Sequence, residues 1–369
     1  MGKGHEHRHG RSRGSRALHQ AHPERGPALV GTTVAILSAL AFGLSTPLVQ
    51  RFGRARGPFA IAALLYTGAC IVGLVSRSRS EARVRASNAG RVALVGALGA
   101  GIAPALLAWG LLHTSGVSAS LMLNLEAVFT VALARILYAE HVGRRLAFAV
   151  TLLAAGGALL VVQGGGDQGA ASTMGLLAVA AASLAWALDN ALAKPLSAID
   201  PASVVAAKSA VGVALSASLA WILGEAWPSP KDAAVLVAVG ATGYGLSLRL
   251  YLRAQRALGA GRTASVFASA PFFGAALAWL LGEPATWSAW LGGALMIVGL
   301  VLHLTERHAH VHTHEPVEHE HAHRHDDGHH THRHDPMPEG EHNHVHRHDL
   351  VVHEHPHMPD LHHGHAHES

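Results

Sequence analysis

The feature that most constrains this chain is a series of long apolar segments between residues 28 and 304. Several approach the roughly 20 consecutive apolar residues that an α-helix needs to cross a hydrocarbon core of about 30 Å. A soluble chain of 369 residues would spread charged side chains along amphipathic helices, whereas only 14% of this chain is charged and 50% is hydrophobic. We therefore predict an all-α membrane protein.

The apolar segments divide into ten predicted transmembrane helices with short, polar connections. The glycine run Gly164–Gly166 is the predicted boundary between two halves. The polar, histidine-rich stretches 1–27 and 305–369 hold too little apolar surface to fold, and we predict that both are disordered. The predicted helices are 28–50, 57–75, 91–112, 116–138, 145–163, 174–194, 201–223, 232–253, 260–282 and 286–304.

The two halves repeat each other. The segment LSALAFGLSTPL at 37–48 aligns without gaps with AASLAWALDNAL at 181–192, which pairs Phe42 with Trp186. Further on, GVSASLMLN and GRTASVFAS each precede a helix that ends at a glutamate, Glu140 or Glu283. Five helices in each unit is an odd number, so the copies must insert in opposite orientations, as is characteristic of secondary transporters. We predict two inverted five-helix repeats, at 28–163 and 174–304.

The positions of lysine and arginine predict the orientation. The N-terminal tail, the 76–91 connection, Arg144, Arg145, Lys194 and the 253–262 region carry most of the basic residues before the C-terminal tail. Placing them inside satisfies the rule that cytoplasmic connections are enriched in positive charge. This predicts a multi-pass protein of a bacterial-type inner membrane with both termini in the cytoplasm. Three arginines between residues 51 and 56 are the exception.

Several of these features occur together in one known family. Helices that end in "AE" or "GE" before a glycine-rich helix such as LGGALMIVGLVL, together with the internal duplication, resemble the EamA family of the drug/metabolite transporter superfamily. The resemblance covers roughly residues 30–304 and implies a transporter of small organic solutes, with a central cavity between the halves and alternating access. The chain has neither a Walker A run nor an H-E-x-x-H motif. We therefore expect no enzymatic activity, no required cofactor and secondary transport.

Polar side chains at predicted membrane depth are the candidate site residues, because such groups normally face a bundle interior or a wet cavity. Glu126 lies near the middle of the fourth helix, with Ser120 and Asn124 on another face. It is predicted to carry a proton or to contact a cationic substrate; a structural hydrogen bond is the alternative. Asp189 and Lys208 lie at similar depth and are predicted to pair, either as a structural ion pair or as a gate or coupling site.

Other candidates depend on position alone. Asn190 follows Asp189 and is a candidate cavity residue, while Trp109 and Tyr244 are candidate aromatic walls for which packing is an equally open role. Breaks in helices free backbone carbonyls and often mark cavity walls or hinges. Prolines that interrupt predicted helices are Pro47, Pro104 and Pro271.

The C-terminal tail is the other prominent feature, because residues 308–367 hold 23 of the 31 histidines. Imidazole is a ligand for borderline metals, so the tail is a candidate binding site for Zn, Ni or Co ions. This leaves open a divalent-metal transporter, a metal-responsive membrane protein, or a low-complexity tail without a role. Expected partners are lipid and a small-molecule substrate, not nucleic acid, and a homodimer stays open. The candidate ligands are His308, His310, His312, His314, His319, His321, His323 and His325.

Overall fold

The structure is a computed structural model of the chain. It describes residues 25–76, 84–138, 142–167, 170–196, 199–258, 260–304, 308–314, 318–323, 342–347 and 351–357. Residues 29–304 contain helices joined by short connections, as their apolar composition predicts.

The helices fall into two series that follow the two halves of the sequence. The first half contains α1 (Arg25–Gly43), α2 (Ser45–Gly53), α3 (Pro58–Val75), α4 (Ala89–Val95), a π-helical segment (Gly96–Ile102), α5 (Ala103–His113), α6 (Gly116–Met122), α7 (Leu125–Tyr138) and α8 (Arg144–Asp167). The second contains α9 (Ala170–Ala193), α10 (Pro201–Ile222), α11 (Pro230–Gly240), a π-helical segment (Ala241–Leu246), α12 (Ser247–Leu258), α13 (Ala260–Phe267), α14 (Ala270–Leu280) and α15 (Trp287–Leu304).

Many of these helices have the length and composition of membrane spans. Within the described residues, 8 helical stretches are long and apolar enough to cross a membrane, and two shorter apolar helices, Ala270–Leu280 and Trp287–His303, follow them. The prediction of a helical, multi-pass membrane protein is confirmed for the region between residues 28 and 304. The eight stretches are Leu29–Gly53, Pro58–Val75, Ala86–His113, Gly116–Leu137, Arg144–Gln163, Ala170–Ala193, Pro201–Ile222 and Pro230–Gln255.

Five of the predicted helices are discontinuous, including the eighth, in which the second π-helical segment separates α11 from α12. The first breaks at Leu44, the third contains the first π-helical segment, and the ninth breaks between α13 and α14. These irregularities lie just before Pro47, Pro104 and Pro271, as expected because proline lacks the N–H that would complete the preceding turn.

The fourth predicted helix breaks without a proline. At the break between α6 and α7, the Asn124 side chain donates to the Leu121 carbonyl over 2.9 Å. The counterpart of Asn124 in the second half is Ser269, which donates to the Val266 carbonyl over 2.6 Å. A short polar side chain that bonds to the backbone competes with the helical ladder, so both repeats break at the same place.

Glycines allow the two halves to interlock closely. A Cβ on Gly68 of α3 would meet backbone atoms of α11, and a Cβ on Gly212 of α10 would meet Ala100 in the first π-helical segment. The second helix of each half therefore packs against the third helix of the other half. Such close approach is typical of small residues at helix contacts in membranes.

The predicted boundary between the halves, Gly164–Gly166, lies within the last turn of α8, which continues as far as Asp167; α9 begins at Ala170. Glycine lowers helix stability by only about 1 kcal/mol relative to alanine, which the preceding helical turns offset.

The C-terminal tail contains four strands where the sequence analysis expects no regular structure. β1 (His308–His314) pairs antiparallel with β4 (Val351–His357), and β2 (Glu318–His323) pairs antiparallel with β3 (His342–Arg347). The alternation of histidine with other residues has the period of two that a strand requires. These four segments thus have strand geometry that the prediction did not include, and the rest of the tail lies outside the described residues.

Candidate functional site

A carboxylate and an amide join the two halves beside the break in the fourth helix. Glu126 lies in the first turn of α7, where the positive end of the helix dipole favours a negative charge. The Asn190 Nδ2 of α9 donates to the Glu126 Oε1 over 2.9 Å. Glu126 is half-buried and Asn190 is exposed. The predicted cavity residues Glu126 and Asn190 are thus in direct contact across the interface between the halves.

An ion pair lies next to this contact. Lys208 of α10 bonds to the Asp189 Oδ2, and the two side chains are 16% and 3% exposed. The predicted contact between Asp189 and Lys208 is therefore present. Asp189 also abuts Gly99, where a Cβ would collide with the carboxylate. Because Asp189 and Lys208 neutralise each other, the group formed with Glu126 carries one net negative charge when both carboxylates are ionised.

The first π-helical segment presents a backbone carbonyl to two aromatic side chains. Five residues after Gly99 lies Pro104, which has no N–H to donate to the Gly99 carbonyl in a π-helical pattern. That carbonyl instead accepts hydrogen bonds from the Tyr66 Oη over 2.6 Å and from the Trp186 Nε1 over 2.9 Å. These bonds fix the orientation of both rings.

Tyr66 and Trp186 belong to a group of rings that we call the aromatic cluster: Phe42, Tyr66, Trp186, Tyr244, Tyr251 and Phe267. Ring centroids are 5.5 Å apart for Tyr66 and Tyr244, 5.7 Å for Phe42 and Tyr244, and 5.5 Å for Phe42 and Phe267. The group extends to Tyr251, whose ring centre is 5.1 Å from that of Phe267. Aromatic residues form only 5% of the chain, so their convergence here is notable.

The cluster lies where equivalent parts of the two repeats meet. Phe42 and Trp186 are aligned in the repeats, and their rings are 6.3 Å apart. Gly99 faces Asp189, while its counterpart Gly243 faces Ser45, the residue aligned with Asp189. Reciprocal contacts of this kind are what a two-fold relation between the repeats produces. Transporter sites commonly lie at such an interface.

One end of the helix bundle is closed by contacts between the halves, and we call it the capped end. The Glu225 carboxylate accepts a hydrogen bond over 2.9 Å from the N–H of Ala60 in the first turn of α3. The Glu283 carboxylate likewise accepts from the N–H of Gly116, the first residue of α6. Gln50 donates to two carbonyls near the end of α5, over 3.3 and 3.0 Å.

The site is more open toward the opposite end. Asn190 lies in the last turn of α9 and is exposed, and Glu126, Phe42, Tyr251 and Phe267 are half-buried. Behind them Tyr66, Trp186 and Tyr244 are 5%, 7% and 8% exposed and form the floor. We call the region bordered by Glu126, Asn190 and the aromatic cluster the recess; its exposed residue, Asn190, lies toward the end of the bundle that carries Ser76 and Ser87, opposite the capped end.

Three predicted site residues lie outside this recess. Ser120 is buried against Gly274 of α14, and Asn124 contacts Met296 of α15 with a 3.7 Å distance between Nδ2 and Sδ. Trp109 stacks on His113 in α5 with ring centres 4.1 Å apart, and no described ring contact joins it to the aromatic cluster. Ser120 and Asn124 precede α7, whereas Glu126 lies in its first turn. A projection of one continuous helix therefore does not predict their positions relative to Glu126.

The candidate metal ligands of the tail are separate from the recess. His308, His310, His312 and His314 lie in β1, His319, His321 and His323 lie in β2, and His325 falls outside the described residues. Within the part of the chain whose side chains are described, no group of three or more His, Cys, Asp or Glu residues could hold a metal ion.

Sequence reasoning finds Tyr244 but misses the other members of the aromatic cluster. One signal was available: bulky rings occupy aligned positions, Phe42 and Trp186, in a chain poor in aromatic residues. The convergence of Tyr66, Tyr251 and Phe267 depends on helix crossings that no local pattern encodes.

Comparisons with known proteins agree with this architecture. A crystal structure matches with a TM-score of 0.54 and 22% identity, covering 76% of this chain and 97% of the other, which shows a shared fold. An uncharacterized transporter of Methanothermobacter thermautotrophicus is 28% identical over 231 residues, or 61% of this chain and 67% of that protein. The model of the EamA-like transporter family matches residues 29–163 and again 173–305. This chain therefore belongs to the EamA-like transporter family, with one copy of the family unit in each half.

Proposed function

We propose that the protein is a secondary transporter that exports a small organic solute by alternating access, with the recess around Glu126 as its solute site. The observation that carries the proposal is the Glu126–Asn190 hydrogen bond, which spans the two repeats beside the aromatic cluster. A group shared by both halves changes its surroundings whenever the halves move relative to each other, as alternating access requires.

For the direction of transport, we propose that the solute loads from the end near Asn190. That end carries Ser76 and Arg85, and we propose that it lies in the cytoplasm because the 76–91 sequence is rich in arginine. A solute would load from that side while the Glu225 and Glu283 contacts close the capped end. The first half would then insert opposite to the second, with all ten helical segments crossing an inner membrane and both termini in the cytoplasm.

A pair of engineered cysteines tests this orientation. In a Cys70→Ala background, Ser87→Cys and Ala226→Cys each place a thiol in the connection between the second and third helices of one repeat. Both positions are exposed. Opposite insertion predicts that an impermeant thiol reagent labels the two from opposite sides of sealed vesicles. Labelling of both from the same side would contradict it.

We propose that Glu126 couples transport to protons. It is a half-buried carboxylate at the repeat interface, and the charged or titratable groups near it are Asp189, Lys208, Tyr66 and Tyr251. A carboxylate that alternately faces each side can release a proton on one and take it up on the other. Replacement by glutamine keeps the shape and removes that capacity.

The test is solute-driven proton movement in proteoliposomes that contain a pH-sensitive dye. A panel of small cations, anions and neutral metabolites is added, and at least one is expected to move protons with the wild-type protein. Glu126→Gln is expected to abolish proton movement, and Asp232→Asn at the capped end is the matched control expected to retain it. Normal transport by Glu126→Gln with unchanged pH dependence would refute the coupling role.

A second proposal concerns the tail, which we infer binds divalent metals such as Zn, Ni or Co. The strand register supports it, because histidines are paired opposite one another across both strand pairs. Directly opposed residues in an antiparallel pair lie on one face of the sheet, at Cα distances of about 4.5–5.5 Å. The pairs are His308–His357, His310–His355, His312–His353, His319–His346, His321–His344 and His323–His342.

Register and composition are separable by experiment. Exchanging His310 and Val311 keeps the histidine count and moves one histidine from the register position opposite His355 to the position opposite Glu354. A register-dependent site predicts weaker Co binding, measured by its visible absorption, for the exchanged protein. Equal binding would indicate that composition alone attracts metal. Deleting 307–369 is expected to remove metal binding and leave solute transport intact; unchanged metal handling would sink the proposal.

A further inference from the structure

The surroundings of Glu126 combine one net negative charge with a wall of aromatic rings. We propose that the site selects an organic cation, a small solute that carries a positively charged nitrogen on an apolar body. This inference rests on the proposed function, because it names the class of solute for the same recess.

The charges in the recess favour a cation over an anion. Lys208 is the positive group beside Glu126, and it is already bonded to Asp189. Asn190 is neutral and donates to the Glu126 Oε1. Among the described residues nothing donates to the Glu126 Oε2, and we propose that this oxygen contacts the solute. An anion would be repelled by the net negative charge, because Lys208 is already bonded to Asp189. A cation would be attracted by the Glu126 carboxylate.

The rings add a second, independent preference. Phe42, Tyr251 and Phe267 are half-buried members of the aromatic cluster, and Tyr251 lies near Glu126. The π face of an aromatic ring attracts a cation, most strongly where water is excluded. The same rings also accept the apolar body of the solute. Packing alone would be served by leucine or alanine, which dominate the rest of the bundle.

Two of the three aromatic side chains of the floor are held in place by polar bonds. Tyr66 and Trp186 share the Gly99 carbonyl, so they cannot turn their polar atoms toward the recess without losing those bonds. At these two residues the floor presents ring carbon, and the Tyr244 hydroxyl, buried without a hydrogen-bond partner among the described residues, is its remaining donor. An anionic or carbonyl-bearing solute would need such donors, and this is a further reason to infer a cation.

A matched pair of ions provides the test. Benzyltrimethylammonium and phenylmethanesulfonate share a benzyl body and a tetrahedral head, and they differ in the sign of the charge. Radiolabelled forms are applied to the purified full-length protein in lipid nanodiscs by equilibrium dialysis, with empty nanodiscs as the blank. The ammonium ion is expected to bind saturably and at least about tenfold more tightly than the sulfonate, because a partly desolvated carboxylate attracts the one ion and repels the other, a difference of two unit charges.

Variants identify which groups carry the selectivity. Glu126→Gln is expected to bring the affinities for the two ions within about threefold of each other, since the charge preference arises from that carboxylate. Phe42→Leu keeps an apolar side chain but removes the ring, and it is expected to weaken ammonium binding about threefold to thirtyfold. Phe42→Tyr keeps an aromatic ring and is expected to retain ammonium binding. Asp232→Asn, a carboxylate change at the capped end, is expected to leave binding unchanged.

The outcomes separate this inference from the proposed function. Equal binding of both ions, binding of neither, or ammonium binding unaffected by Glu126→Gln would overturn the cation assignment. If an anionic or neutral solute from the proteoliposome panel is transported while the ammonium ion is not bound, the transporter proposal stands and the cation assignment fails. If the ammonium ion binds at Glu126 but no solute moves, the site assignment stands and transport fails. A purely packing role for Phe42 would lower stability in both variants without changing charge selectivity.

Discussion

Removing Lys208 should destabilise the protein through a buried carboxylate that loses its counter-ion. Asp189 is 3% exposed, its Oδ2 bonds to Lys208, and its Oδ1 is buried without a hydrogen-bond partner among the described residues. Two unit charges about 4 Å apart attract by about 4 kcal/mol at an effective dielectric constant of about 20. Breaking a buried pair by removing one partner typically costs about 3–5 kcal/mol. We expect Lys208→Met to lower the free energy of unfolding by about this amount.

The pair must be tested as a cycle, because single variants also change packing. Asp189→Asn with Lys208→Met removes both charges and is expected to recover most of the loss, since the uncompensated carboxylate is gone. Lys231→Met, an exposed lysine of the capped end, is the control expected to change stability by less than about 0.5 kcal/mol.

The assay is equilibrium unfolding in mixed micelles, titrated with a denaturing detergent and followed by loss of helical circular dichroism. A loss below about 1 kcal/mol for Lys208→Met would refute the reasoning, as would a double variant no more stable than Lys208→Met. Either result would mean that Asp189 finds another partner or is neutral in the native state.

Three further predictions concern the frame of the site. Tyr66→Phe and Trp186→Phe should each lower the free energy of unfolding by about 0.5–1.5 kcal/mol in the same assay. The double variant should lower it by about 1–3 kcal/mol more than the sum of the single effects, because the shared carbonyl is then unsatisfied. Simple additivity would count against that shared bond. Glu283→Gln should speed deuterium exchange at the start of α6, since a charge-assisted bond becomes a neutral one, and unaltered exchange would argue against the cap. Gly212→Ala should lower the free energy of unfolding by about 1–3 kcal/mol, because the added methyl group overpacks the helix crossing. Gly90→Ala is the control, since there is open space around its Cβ position and the protein should not be destabilised. Equal effects of the two variants would contradict the close helix crossing.

The helices and the repeat could be predicted from the sequence because both depend on patterns that are local or colinear. Long apolar runs specify helices in lipid, and the fixed offset between Phe42 and Trp186 reveals the duplication. The contact of Asp189 with Lys208 was also predictable, since a shared depth in neighbouring helices leaves each charge one obvious partner.

The parts that escaped prediction depend on how helices break and cross. Asn124 ends α6 by bonding to its own backbone, which turns it toward Met296 and away from Glu126. The Gly99 carbonyl becomes available because of a π-helical segment, whose presence a proline suggests but does not define. Only the tertiary arrangement then brings Tyr66 and Trp186 to that carbonyl.

The same distinction explains the tail. Its alternating histidines were interpreted by composition, which indicates too little apolar surface for a core. The alternation itself has the period of a strand, and the structure pairs the segments so that histidine opposes histidine. Composition predicts that imidazole is the metal ligand, whereas the strand register is needed to propose which histidines lie opposite one another.

The most direct test of the account is whether the site around Glu126 is reached from both sides of the membrane. Thr130 lies one helical turn past Glu126 on the same face of α7 and is half-buried. In sealed vesicles with a Cys70→Ala background, impermeant thiol reagents are applied from either side to Thr130→Cys. Alternating access predicts labelling from both sides, with protection on both by any solute that the protein transports. Labelling from one side only, whatever the conditions, would contradict it.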